Sequence, residues 1–437
     1  MLNHFKNHIE DQLEFLNQSK LLIAISGGVD SVVLTHLCYQ LKLNIALAHC
    51  NFNLRGKESD ADEDSVLQLA EDLELEVFIQ RFDTDQYAKA HKRSIQMAAR
   101  ELRYNWFEEL SEQLGFDYVL TAHHADDNLE TFLINFTRGT GLDGLTGIPR
   151  VNGKFVRPLL PFSSDVIKTY AKENTIKWRD DSSNKSVKYL RNKLRHEVIP
   201  ILKEINPSLL QSFQATLNHL NDSSSIVNDR MNSFLTNTAV NIKDDEVKFK
   251  ISEFKEVRQP KAYLFEALKA FGFTEWDDVL NLLDAQSGKQ VFSNTHRLIK
   301  DRDSLLLSPI STESHQEILV SEGDIQKETP LGVLFFEEVN EEVKQAVNCI
   351  HVDKALLRFP LILRQKREGD VFYPIGMSGK KKLSKYFKDE KLSLLDKERT
   401  WLLCSGNDII WVVNRRADRR FKVTKSTETI LKIELKP

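Results

Sequence analysis

LLIAISGGVDSVVLTHLCYQL, residues 21–41, decides how the chain begins to fold. Leu21 to Ile25 are five apolar residues in a row, the pattern of a buried strand. Ser26-Gly27-Gly28 makes a tight turn. Asp30 and Ser31 suit a helix start, and Val33, Leu34, Leu37, Cys38 and Leu41 recur at helical spacing. A strand that passes through a glycine turn into a helix aims backbone N–H groups and a helix dipole at an anion. The two glycines let the backbone approach a phosphate, and the Ser26 and Ser31 hydroxyls add donors. Asp30 would repel a phosphate directly, and suits instead a Mg²⁺ that bridges to it. The loop at residues 26–31 matches neither GxxxxGKS/T nor GxGxxG, which argues against a Walker-type loop and a dinucleotide site there.

Outward from this stretch, strand and helix alternate. Residues 43–48 and 76–82 read as strands, separated by a helix after the acidic run Glu58 to Asp64. Ser94 can cap a long helix through Ile95, Ala98, Leu102, Trp106 and Leu110. Residues 117–122 form a fourth strand, Asp126 starts another helix, and residues 155–160 look like a last strand. This rhythm predicts an α/β fold with a parallel sheet covered on both faces. Ligands in such sheets sit beyond the carboxyl ends of the strands. Three of those ends are polar here: the Ser26 loop, His49 with Asn51, and His123-His124.

The second informative stretch is residues 121–149, TAHHADDNLETFLINFTRGTGLDGLTGIP. Asp127 and Glu130 lie three apart and share a helix face near His123. Two carboxylates and a histidine beside a phosphate crevice suit metal binding and proton transfer. His124 reads better as a core residue. Gly139, Gly141, Gly144 and Gly147 read as a mobile loop.

Composition bounds the rest. The 437 residues are 41% hydrophobic and 28% charged, enough for two or three domains with their own cores. No apolar run approaches a membrane span, and the N-terminus lacks a signal-peptide core. The four cysteines are scattered without a CxxC pair, which argues against a zinc ribbon or a disulfide framework and fits a reducing cytoplasm. Charge is uneven. Lys354 to Lys425 holds 19 Lys and Arg against 8 Asp and Glu, so a net charge of −4 leaves −15 for the remainder. A basic end on an acidic body points to a polyanionic partner.

Ser26-Gly27-Gly28-Val29-Asp30-Ser31 resembles the SGGxDS signature of the PP-loop ATP pyrophosphatases, which cleave ATP between its α and β phosphates. A more specific resemblance is carried by several stretches together. These are His49 with Asn51 and Leu54-Arg55-Gly56, Ala98-Ala99-Arg100 with Arg103-Tyr104, residues 121–149, Asp181-Ser182-Ser183-Asn184, and Arg191-Asn192 with Arg195-His196. They are similar to the tRNA(Ile)-lysidine synthase family. Thinner matches follow at residues 364–370 and 379–383. Phe52 departs from the family pattern, which usually has histidine there.

The resemblance implies a PP-loop domain followed by a small, mainly helical domain and a C-terminal α+β domain. The bounds expected are 1–215 for the catalytic domain, 216–310 for a tRNA-contacting domain, 311–349 for a linker, and 350–437 for the basic domain. It also implies a reaction: ATP adenylates carbon 2 of the wobble cytidine in an isoleucine tRNA with a CAU anticodon, and free L-lysine displaces AMP. Ser26, Gly27, Gly28, Val29, Asp30, Ser31 and His49 would bind ATP. Asp30, His123, Asp127 and Arg103 would serve catalysis, with Asp30 and Asp127 toward Mg²⁺. Arg191, Arg195, Lys380, Lys381, Lys382, Arg415 and Arg416 would hold tRNA. The enzyme would act in the cytoplasm, away from membranes and with no obligatory protein partner, alone or as a homodimer. Two rival readings remain: another adenylating PP-loop enzyme of tRNA modification, and a non-catalytic RNA-binding protein.

Overall fold

The computed structural model describes residues 1–179, 190–243, 246–310, 317–340, 346–377 and 379–436. Two compact units divide the chain, Met1–Asp229 and Arg230–Pro437.

The first unit starts with helix α1 (Leu2–Gln12). Then come β1 (Leu21–Ala24), α2 (Val29–Gln40), β2 (Ile45–Asn51), α3 (Lys57–Asp72) and β3 (Val77–Arg81). Helices α4 (Thr84–Ala90) and α5 (Ile95–Leu114) lead to β4 (Tyr118–Leu120), α6 (Ala125–Arg138) and α7 (Leu142–Leu145). The hairpin β5 (Val151–Asn152) and β6 (Phe155–Val156) and helix α8 (Ser164–Glu173) follow. The sheet order is β3-β2-β1-β4-β6-β5, parallel except at the β5–β6 edge. Alternate residues of β1 enter opposite layers, as a period of two requires. Leu21 and Ile23 pack with α1, α2 and α8. Leu22 packs with Phe107 and Leu110 of α5 on the other face.

Chain order sends β2 and β3 to one side of β1, and β4 to the other. The crevice between the ends of β1 and β4 is therefore the switch point of the sheet, where such folds bind ligands. Local chemistry sets the elements that reach it. Ser94 caps α5, accepting from the Met97 N–H at 3.3 Å. Ser163 caps α8, accepting from the Val166 N–H at 3.3 Å.

Two hydrogen bonds tie the glycine-rich segment after α6 to side chains of that helix. Asn135 Nδ2 donates to Gly144 O at 2.9 Å, and the Ile148 N–H donates to Asn128 Oδ1 at 2.7 Å. Beyond it run α9 (Leu190–Lys193), a π turn over Leu194–Val198, α10 (Ile199–Ile205) and the long α11 (Leu209–Thr238). Ser223-Ser224-Ser225 lies inside α11, where Ser223 Oγ donates back to His219 O at 2.9 Å.

The second unit begins with β7 (Ala239–Lys243), β8 (Glu246–Lys250), α12 (Ile251–Glu256), α13 (Pro260–Leu268) and α14 (Trp276–Asn281). With β9 (Gln290–Phe292), β10 (His296–Asp301) and β11 (Ser304–Pro309) the strands make an antiparallel sheet, β7-β8-β11-β10-β9. β7 and β9 are its edges and β11 lies at its centre.

Next come β12 (Ile318–Val320), β13 (Gln326–Thr329), β14 (Gly332–Val339), β15 (Cys349–Asp353), β16 (Leu361–Gln365), β17 (Val371–Phe372) and β18 (Lys381–Lys382). Helices α15 (Leu383–Asp389) and α16 (Leu394–Arg399) precede β19 (Trp401–Ser405), β20 (Asp408–Val412) and β21 (Ile430–Lys436). Sheets β12-β16-β19-β20 and β13-β14-β21-β15 share one core, which includes Leu334, Phe336, Leu363, Trp411 and Ile433. The described residues of 311–349 thus include β12, β13 and β14 where a linker was expected. β12 and β13 are short, β13 and β14 are partly polar, and β14 pairs on one side with β13 and on the other with β21, at the far end of the chain.

Within this unit, Glu246 is buried and accepts from Ser308 Oγ at 3.0 Å and from Arg399 Nη1 at 2.8 Å. Arg297 pairs with Glu398 at 2.6 Å, and Leu395 packs on Ile299 and Leu306.

Candidate active site

The loop after β1 is built as expected. Gly27 takes φ of +85°, a conformation that strains any residue with a Cβ. Gly28 is the N-cap of α2. Ser31 Oγ donates to Gly28 O at 3.0 Å and accepts from the Ser26 N–H at 3.2 Å; the two hydroxyls lie 3.2 Å apart. These bonds hold the turn in shape before any anion arrives.

Asp30 sits in the first turn of α2. Its Oδ1 is buried with no hydrogen-bond partner, and burial pushes its carboxyl pKa up. An orphaned carboxylate oxygen beside a phosphate loop is what a cation that also binds phosphate would satisfy. Among the described residues no three His, Cys, Asp or Glu side chains form a metal cage. Mg²⁺ often needs fewer, taking one or two carboxylates together with substrate phosphates.

At the end of β4, Thr121 Oγ1 lies 3.0 Å from His123 Nδ1. Burial depresses the His123 pKa to about 4, against the pull of Asp127, so the ring is neutral near pH 7. His124 is buried, as expected, yet it is also the N-cap of α6. The His124 N–H donates to Asp127 Oδ2 at 3.1 Å, and the Asp127 N–H donates to His124 Nδ1 at 3.4 Å. Its Nε2 lies 3.4 Å from Asp127 Oδ2 and 3.7 Å from Asp30 Oδ2. One imidazole therefore spans the two carboxylates.

Asp127 is fully engaged. Burial pushes its pKa up, but His124, Arg191 and His123 outweigh this and hold it below the usual carboxylate range. Its Oδ1 accepts from Arg191 Nη2 at 3.2 Å and from Arg195 Nη2 at 3.3 Å. Glu130, one turn along and wholly buried, accepts from Arg191 Nε at 2.7 Å and Arg195 Nε at 2.5 Å. Arg191 and Arg195, expected on tRNA phosphates, thus direct Nε and Nη2 to these carboxylates. Arg195 lies in the π turn, a distortion often found at functional sites.

His49 is buried, with Nδ1 2.9 Å from Ile25 O at the base of the loop. Burial lowers its pKa. Arg103 lies over the Phe52 ring, 5.1 Å from its centroid, on the His49 side. The cations acting on His123 are instead Arg157, Arg191 and Arg100. Arg157 is buried, donates from Nη1 to Pro149 O at 2.8 Å, and was foreshadowed only by its place at the end of β6. Asp181-Ser182-Ser183-Asn184 lies outside the described residues.

In the second unit Lys380 and Lys382 are exposed, whereas Lys381 pairs with Asp389 at 2.8 Å. Arg416 reaches Glu390 at 3.7 Å, and Arg415 is partly buried.

Comparison with known proteins adds three family matches: a PP-loop domain at residues 1–202, a TilS substrate binding domain at 242–310, and a TilS substrate C-terminal domain at 361–435. A protein of Parabacteroides distasonis named tRNA(Ile)-lysidine synthase is 40% identical over 99% of both chains. One of the same name from Bacteroides thetaiotaomicron is 39% identical over 97% of both. Among solved structures, a U34-tRNA thiolase from Methanococcus maripaludis is 20% identical with a TM-score of 0.41, covering 50% of this chain and 79% of that one.

Proposed function

The chain belongs to the tRNA(Ile)-lysidine synthases, and from that premise we propose how its residues divide the reaction among them. It is an ATP-dependent ligase of tRNA modification. In the proposed course, O2 of the wobble cytidine in the CAU anticodon of an isoleucine tRNA attacks the α-phosphorus of ATP, and pyrophosphate leaves. The amine of free lysine then attacks carbon 2, AMP leaves, and lysidine remains. Codon reading changes from AUG to AUA. We place this activity in the cytoplasm; no described helix is long and apolar enough to cross a membrane.

The observation that carries the proposal is the convergence of the Ser26–Ser31 loop, Asp30, His123 and Asp127 at the β1–β4 switch point. Ser26, Gly27, Gly28, Val29 and Ser31 would present N–H and O–H donors to the phosphates. Mg²⁺, when bound, would neutralise pyrophosphate charge; Asp30, with its unpartnered Oδ1, fits it better than Asp127, whose oxygens are taken. His123, neutral and oriented by Thr121, would accept the proton released as the lysine amine adds. His49 would support the loop from beneath. Asp127, Glu130, Arg191 and Arg195 offer both signs of charge in one cluster, which suits a zwitterionic amino acid. Arg103 and the exposed Lys380 and Lys382 would meet tRNA.

The test is incubation with ATP, Mg²⁺, radiolabelled lysine and an unmodified isoleucine tRNA bearing CAU. Label should enter the tRNA through a bond stable to mild base. ATP consumed while lysine stays free would make this a different adenylating enzyme. Binding of tRNA without turnover would favour the RNA-binding protein.

A further inference from the structure

The phosphate loop lacks a lysine, yet pyrophosphate must leave from it with its charge balanced. Two guanidinium groups stand beside that loop with no part in the chemistry proposed so far. Arg179 is tied to the loop itself: its backbone N–H donates to Gly27 O at 3.1 Å. Its Nε donates to Asp62 Oδ1 at 2.7 Å, and Arg55 Nη2 donates to Asp62 Oδ2 at 2.9 Å. One carboxylate therefore carries two cations drawn from separate stretches of chain, one before α3 and one after α8. Asp62 lies on α3, whose backbone faces the loop: a Cβ built on Gly27 would meet Asp62 O at 3.7 Å and Val66 at 3.8 Å.

The arrangement is asymmetric. The Asp62 side chain is 15% exposed, while those of Arg55 and Arg179 are 32% and 41% exposed. The anion is held inside and the cations face outward, so the group presents net positive charge beside the loop. Exposed ion pairs add little to stability, which makes a purely structural role a weak explanation for doubling them here. A planar fork is also the side-chain geometry that matches phosphate oxygens.

We propose that Arg55 and Arg179 bind the departing pyrophosphate, with Asp62 as the residue that positions them. The proposal rests on the adenylation reading above. As the bond from cytidine O2 to the α-phosphorus forms, the bond from that phosphorus to the bridging oxygen breaks. The electron pair stays with the pyrophosphate, and the two guanidiniums meet the charge that develops there. Before ATP binds, Asp62 keeps them aimed.

The test compares full-length enzyme with Arg55→Gln, Arg179→Gln, Arg55→Lys, Arg179→Lys and Asp62→Asn. Inorganic pyrophosphate and AMP are each titrated by calorimetry and as inhibitors of lysine incorporation. Losing one charged hydrogen bond should weaken pyrophosphate binding about tenfold. AMP binding should stay unchanged, and each lysine variant should fall between its glutamine counterpart and the parent. Asp62→Asn should weaken pyrophosphate less than either glutamine variant. If a glutamine variant fails to melt cooperatively, its lysine counterpart decides. Equal weakening of pyrophosphate and AMP, or no change in pyrophosphate, would overturn the proposal. Calorimetry needs no lysine transfer, so a parent enzyme that binds pyrophosphate but labels no tRNA would count against the reaction and not against this pair.

Discussion

His123 is a neutral ring held in a place where a charged one would be costly, and that cost is measurable. Its pKa falls from the ordinary 6.5 to about 4 on folding. Between those values the unfolded chain takes up a proton that the folded chain refuses. The stability this histidine supports is therefore complete above pH 6.5 and is lost as pH falls toward 4. Replacing His123 with Gln should flatten the fall in urea-unfolding free energy between pH 6.5 and 4.5. His8, depressed by burial to about 4, keeps part of the slope in the variant. An unchanged slope would show that His123 is protonated as easily folded as unfolded. The candidate role of this residue was legible from sequence, because a histidine closing a strand lies near the crevice. The carboxylate partners of Arg191 and Arg195 were not. Ion pairs joining residues some sixty positions apart leave no local trace, and basic residues one turn apart look the same whether they face phosphate or carboxylate.

Among elements, the segment following α6 shows how a glycine pattern misleads. Four glycines in a short span read as mobility, yet they have different neighbours. A Cβ on Gly147 would meet Asn128 Oδ1 at 2.5 Å, and its φ is +79°. A Cβ on Gly141 meets nothing within 4 Å. Gly147→Ala should therefore cost about 1–3 kcal/mol, through backbone strain and the loss of the Asn128–Ile148 bond, whereas Gly141→Ala should stay within about 0.5 kcal/mol. Thermal melts of both variants check this, and equal shifts would remove the distinction. Periodicity fails here because the constraint is a close approach between backbone and side chain, which no single stretch encodes. It succeeds for β1 and α2, where five apolar residues and a helical repeat are both local. The strands of residues 318–339 fall between: β14 buries Leu334 and Phe336, but its outward residues look like a loop until β21 is placed beside it.

For the molecule as a whole, an acidic body and a basic end were visible in composition alone, and the structure refines which basic groups face outward. Lys380 and Lys382 are exposed while Lys381 leans on Asp389 and over the Tyr386 ring, 5.6 Å from its centroid. Changing Lys380, Lys381 and Lys382 together to Gln should weaken tRNA binding at low salt and leave ATP binding intact. The salt dependence should fall by roughly one unit of slope for each phosphate that is no longer neutralised. Filter binding across salt concentrations reads both effects. An unchanged dissociation constant would assign tRNA to another surface.

The buried Glu246 carries a consequence for how this unit tolerates change. Its charge is matched by Arg399, more than 150 positions later in the same unit. With the rest of the unit in place, an uncharged residue at position 399 would leave Glu246 buried against Ser308 without its cation, and a second change at position 246 would remove that penalty. Two positions far apart in the chain therefore behave as one site, better changed together than singly.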